Sequence, residues 1–271
     1  MAASDHLLVD IVYDRSISPD VDAEHSSGVV VDDVARWLEQ WLLISTTHST
    51  MTVWDSSPTH RKDIDLALPG HLGKELESQT RSLEGGHVGM VELRVRNREF
   101  IMIVGIDDDV VARIGDRQLL PNDLSLQILR KTVDGKPAEQ FAYDFLKEAC
   151  TRTSPAWGAI YRQSEYDFKV MQQTPSVEAI GRDFGRFLPG LFAVNYFGER
   201  YVTLFGDRRI AQLKPQVVEP AGSGVVVSVA SPGNWQAAES SYAEVLDTLG
   251  REHFFDRDND TRMTVAPTFD S

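Results

Sequence analysis

Residues 88–109 read VGMVELRVRNREFIMIVGIDDD, and the fold class follows from them. Val91, Leu93 and Val95 alternate with Glu92 and Arg94, which is the period of a strand with one apolar face. Arg96-Asn97-Arg98 supplies a tight turn, and Phe100–Ile106 returns as a second, more apolar strand. The pair reads as a β-hairpin closed by Asp107-Asp108-Asp109. A second hairpin is expected from Gln216–Glu219 and Gly224–Ala230 across Pro220-Ala-Gly-Ser-Gly, and Leu191–Tyr196 with Tyr201–Phe205 reads as another strand pair or a strand and a turn. Strands grouped as neighbours, with few strict β-α-β alternations, predict an α+β protein of mostly antiparallel hairpins packed with helices.

Single strands are expected at His6–Tyr13, Met51–Asp55 and Trp157–Arg162. Helices are expected at Val31–Ile44, Leu72–Leu83, Pro137–Cys150, Val177–Phe184 and Trp235–Leu249. The first carries Val34, Trp37, Leu38, Trp41 and Leu42 on one stripe, and the third carries Phe141, Phe145, Leu146 and Ala149. Gly250 stands where a helix C-cap favours glycine. The SSPTHRKD segment after Asp55 reads as turn, and Pro121–Lys131 as a mixed connection with a short helix. The order helix, strand, helix, strand pair occurs twice, which raises the expectation of two similar halves: 1–130, 131–255 and a polar tail at 256–271, or all of these in one compact domain.

The 271 residues include 27 Lys+Arg against 41 Asp+Glu, a formal charge of −14. Such a surface repels phosphate backbones and anionic lipid, so neither nucleic acid nor a membrane is an expected partner. A basic protein partner fits the charge, as does plain solubility. The one cysteine, Cys150, makes no internal disulfide. The N-terminus MAASDHLLVDIVYD lacks a secretory pattern, and no apolar run approaches the roughly 18 residues of a membrane span. A soluble cytoplasmic chain is the expectation.

The sequence holds no phosphate-binding GxxxxGK[ST] and no GxGxxG after a strand. Gly222-Ser223-Gly224 has turn chemistry and lacks nucleophile-elbow spacing. None of the seven histidines forms HExxH or an i,i+4 pair. Asp256-Arg-Asp-Asn-Asp260 begins like a calcium loop but has Thr261 and Pro267 where that loop needs Gly and Glu. Cys150 sits near a helix C-terminus with no base beside it, so core packing is expected. Trp37 and Trp41 share a helical face and read as core. No catalytic residue, metal or cofactor is therefore predicted.

One stretch supports a resemblance. Leu188–Ile210 reads LPGLFAVNYFGERYVTLFGDRRI, followed by a hairpin, Ser231-Pro-Gly-Asn, and a helix ending Leu249-Gly-Arg-Glu-His-Phe-Phe. Over about residues 138–256 this arrangement resembles bacterial immunity proteins of polymorphic toxin systems, the immunity protein 52-like group. The resemblance implies a non-catalytic cytoplasmic inhibitor that binds a cognate toxin and protects its producer. It carries over no binding residues. The charge makes the expected toxin basic, and Asp107, Asp108 and Asp109 are the expected contact residues. The competing readings are an enzyme whose site is assembled from distant residues, and a structural or adaptor component of a bacterial secretion or phage-related assembly.

Overall fold

β1 (Leu7–Val12) sorts the molecule into layers, because its side chains alternate between two different cores. Leu7, Val9 and Ile11 lie in one cluster of buried apolar residues, while Val12 lies in the other. The computed structural model describes residues 5–14, 31–45, 50–54, 61–65, 70–72, 74, 89–95, 99–106, 112–114, 117–120, 122–170, 181–213, 217–257, 265–267 and 269.

The strands after β1 are β2 (Thr50–Trp54), β3 (Arg61–Asp65), β4 (Gly89–Val95), β5 (Phe100–Ile106), β6 (Ala112–Ile114), β7 (Arg117–Leu119), β8 (Asp123–Ile128), β9 (Thr132–Val133), β10 (Lys136–Pro137), β11 (Trp157–Arg162), β12 (Val194–Phe197), β13 (Val217–Ala221) and β14 (Gly224–Ser228). Among the described residues, ten of them form one sheet in the order β13-β14-β12-β11-β1-β8-β5-β4-β2-β3. Every pairing in it is antiparallel. β1 sits between β8 and β11, with Val9 opposite Leu126 on one side and Ile160 on the other, so the sheet runs unbroken across residue 130. The chain fills the sheet inward from its edge between β2 and β8, and outward from its centre between β11 and β13.

Helices α1 (Val31–Ser45) and α2 (Ala138–Thr153) cover one face. Trp41 of α1 meets Phe100, Phe141 and Phe145 at ring centroid distances of 6.1, 5.4 and 4.6 Å. Each such fully buried large apolar side chain contributes ~1.5–3 kcal/mol. Trp37 packs on Phe145 at 5.7 Å, and Cys150 is buried in the same core. Over the second face lie α3 (Gln163–Val170), an irregular segment at 181–193, α4 (Glu199–Phe205), α5 (Asp207–Gln212), a 3-10 turn at Pro232–Ala238 and α6 (Glu239–Leu249). Phe184, Leu188, Phe192, Tyr201, Phe205, Tyr242 and Leu249 pack there against Trp157, Tyr161, Phe197 and Val227. The architecture is α+β, with an antiparallel sheet between helical layers.

Both predicted hairpins are present: β4 pairs with β5 and β13 with β14. Several elements differ from expectation. Arg61–Asp65 is a strand, not a turn; it has no apolar alternation because it is the edge strand, where charged residues suit an unpaired rim. Residues 123–128 form β8 rather than a short helix, with Leu124, Leu126 and Ile128 buried at every second position. Tyr201–Phe205 belongs to a helix despite its aromatic and β-branched composition. Gly198 and Gly206 bound that helix, and Tyr201 and Phe205, four residues apart, supply its buried face. Helix α3 was not expected: its buried residues are Glu165 and Val170, which give no apolar stripe to read. Residues 181–184 are turn, with the Arg186 and Phe187 amides donating to the Asp183 carbonyl. The expected 235–249 helix begins as a 3-10 turn and becomes α-helical at Glu239.

Candidate functional site

The three expected contact residues, Asp107, Asp108 and Asp109, follow the end of β5 at Ile106 and lie outside the described residues. So do most of the expected Leu72–Leu83 helix and the acidic positions beyond Arg257. Among the described residues the fold brings charged groups together in two clusters on the second face of the sheet.

The first cluster starts from Asp10 in the middle of β1. Even-numbered β1 positions face the second core, so its carboxylate is buried with it. Ser125 of β8, opposite Asp10 in the ladder, donates its hydroxyl to Oδ1 at 2.5 Å. Tyr161 of β11 donates to Oδ2. Arg182, at the start of the irregular segment, sets Nη1 3.7 Å from Asp10 Oδ2 and Nη2 3.5 Å from Asp123 Oδ2. Burial pushes Asp123 up to about 6, against the pull of Arg182 and helped by repulsion from Asp10. Burial also raises the Tyr161 phenol, with Asp10 adding to it, so Tyr161 stays a hydrogen-bond donor. Burial works to lower the Arg182 pKa, but Asp10 and the other acids around it outweigh that and raise it.

The second cluster is built on α3. Glu165 is completely buried and accepts from Lys169 Nζ one turn later at 2.7 Å and from the Tyr242 hydroxyl at 2.8 Å, all on Oε1. Lys169 also donates to the Leu191 carbonyl at 2.5 Å and stands 3.7 Å from the centre of the Tyr242 ring. Burial raises Glu165 and lowers Lys169, and in each case the attraction of the other opposes it. An aromatic stack joins the two clusters: Tyr161 lies 5.1 Å from Tyr166 and 4.6 Å from Phe192. Desolvation thus acts on Asp123, Tyr161, Glu165, Lys169 and Arg182, and each carboxylate of the clusters faces at least one hydroxyl and a cation.

Both clusters anchor the Leu188–Ile210 stretch and its neighbours. Asn195, fully buried, accepts from the Phe192 amide at 2.9 Å and donates to the Phe192 carbonyl at 2.7 Å. Leu188 bridges to the C-terminal segment, its amide donating to the His253 carbonyl and its carbonyl accepting from Phe255. Gly206 turns with φ +80°, while Gly198 is required for a different reason. A Cβ on it would meet the Pro155 carbonyl and lie 2.7 Å from the Ala156 oxygen.

Beside Lys169 opens a cavity of ≈ 480 Å³ whose apolar walls include Leu191, Tyr242, Leu246, Phe254 and Phe255. Phe168, 57% exposed, stands at it and packs on Trp235 with ring centroids 5.7 Å apart, tilted by 42°. Cys150, on the buried face of α2, belongs to the other core, and burial pushes its thiol well up, which keeps it a packing residue. Among the described residues no cluster of His, Cys, Asp and Glu is arranged to hold a metal, and no helix is long and apolar enough to cross a membrane.

No protein-family model matches the chain. No curated protein matches it significantly. Among solved structures it is similar to the Pseudomonas aeruginosa T6SS protein PA0821, with 12% identity and a TM-score of 0.49, over 96% of this chain and 78% of that one.

The clusters around Asp10 and Glu165 were missed in the sequence, although each left a trace. Asp10 is a carboxylate inside the apolar run LLVDIV, where an ionised group has no place without partners. Glu165 and Lys169 stand at i,i+4, the spacing of a helical ion pair.

Proposed function

We propose that this chain is a non-catalytic, immunity-type protein that binds a cognate basic toxin and neutralises it in the cytoplasm of the bacterium that makes both. The observation that carries the reading is the formal charge of −14. A chain so acidic attracts a cationic partner at long range, accelerates encounter and covers a basic substrate-binding surface. The internal use of the buried charges supports the same reading. Asp10, Asp123, Glu165, Lys169 and Arg182 hold the second face of the sheet together, so a stoichiometric inhibitor needs only its outer surface. The Leu188–Ile210 pattern that resembles immunity proteins is here a core scaffold, in keeping with a family whose interface lies elsewhere.

The test is co-purification of the tagged chain from its source lysate at low and at high salt, with mass spectrometry of what remains bound. The captured protein is then produced in a heterologous host with and without the chain. The expected result is a stoichiometric basic partner, released by salt, that arrests growth alone and is harmless when the chain is present. Absence of a partner at either salt, or a partner whose effect on growth the chain does not change, overturns the proposal.

A further inference from the structure

We propose that the cavity beside Lys169 is a binding site for an amphipathic organic anion: a small molecule with an apolar body that ends in a carboxylate. Its ≈ 480 Å³ lies within the range of small-molecule sites, and mostly apolar walls with a few convergent polar groups are what such sites share. Three cations, Lys169, Arg251 and Arg257, contribute to the lining, against one acid, Asp256, among the described lining residues. In a chain of charge −14 this is a local reversal of sign.

Asp256, within the lining, attracts Arg251, but the acids that hold Lys169 and Arg251 by hydrogen bonds stand outside it. Glu165 lies behind Lys169 with no exposed surface, and Asp247, which accepts from Arg251 Nε at 2.5 Å, is 65% exposed. Arg257 uses Nη1 on the Phe168 carbonyl at 2.8 Å and holds its guanidinium 5.4 Å from the centre of the Phe168 ring. A guanidinium has five N–H donors in a planar fork, so a carboxylate can still be engaged by two of them. A cationic ligand would instead meet the three like charges of Lys169, Arg251 and Arg257. Two of the aromatic rings that line the cavity already face cations, Tyr242 with Lys169 Nζ at 3.7 Å and Phe168 with the Arg257 guanidinium at 5.4 Å. The site is independent of whether the chain neutralises a toxin.

Isothermal titration of the full chain with decanoate, decanol and decyltrimethylammonium, each below its aggregation concentration, tests this. Saturable single-site binding of decanoate is expected, with decanol binding at least ~10-fold more weakly and the ammonium not binding. Arg257→Ala, a change at an exposed residue, should weaken decanoate ~10-fold, and Leu246→Trp should abolish it by filling the cavity. The proposal fails if decanoate does not saturate, if the ammonium binds as well, or if Arg257→Ala leaves decanoate affinity unchanged.

Discussion

Arg182 stands between two carboxylates, and the two are not equivalent. Asp10 accepts from Ser125 and Tyr161 as well as facing the guanidinium, whereas Asp123 relies on Arg182 and a distant 3.5 Å contact with Ser125. Burial resists the ionisation of Asp123, and its pKa is raised from 3.8 to about 6. A carboxyl held above its unfolded value binds a proton more tightly in the native state, so its contribution is fully present below about pH 4 and is lost as pH rises through about 6. The displacement corresponds to ~3 kcal/mol, reduced to ~1–2 kcal/mol because about a quarter of both the Arg182 and the Asp123 side chains remains open to water. Asp123→Asn should remove this dependence. Denaturation midpoints measured from pH 4 to pH 7 should show the wild-type chain losing ~1–2 kcal/mol relative to the variant across that window. A difference that stays flat, or that slopes the other way, would mean that the attraction of Arg182 governs Asp123 after all.

Among the elements, α4 shows how a misleading composition is overruled. Tyr201-Val-Thr-Leu-Phe205 has the residues of a strand, yet a strand needs a partner ladder, and the neighbouring ladder position beside β12 is filled by β14. The segment instead coils, and its buried Tyr201 and Phe205 close on Phe254 and Phe269. The two glycines that frame it have different duties. Gly198 lies against the backbone of Pro155 and Ala156, where neither oxygen can move without disturbing the turn into β11. Gly206 has open space around its Cβ position and needs only its positive φ. Gly198→Ala should cost ~3 kcal/mol through overpacking against fixed backbone, and Gly206→Ala ~1 kcal/mol through strain. Chemical denaturation of the two variants checks the order; equal costs would contradict the close-approach account. The same contrast explains what could be read in advance. Hairpins β4–β5 and β13–β14 were legible because both partners and their turn lie within one short window. β3 and α3 were not, since neither carries an apolar period.

At the scale of the whole molecule, the strand order was beyond local reading, because Asp10 and its ladder partner Ser125 are 115 residues apart and no periodicity records which distant strands meet. The same distance hid the charge clusters, which draw on β1, β8, β11, α3, the 181–193 segment and α6. What the sequence does record at this scale is total charge. The described ion pairs on the surface, such as Lys136–Asp144 with side chains 52% and 41% exposed, contribute little to stability. Self-repulsion among 41 acids against 27 bases is long-ranged and opposes the compact state. Raising the salt concentration from about 20 mM to about 500 mM shortens the screening length from roughly 20 Å to a few ångströms and should relieve that repulsion. The isolated chain should then melt about 2–4 °C higher, as expected for a gain of ~1 kcal/mol in a chain near this size. Under the same change the proposed complex with a basic partner should weaken, so stability of the free chain and affinity for such a partner should move in opposite directions with salt. Calorimetry of the free chain measures the first, and a melting temperature that falls with salt would show that attractive pairs outweigh the net charge.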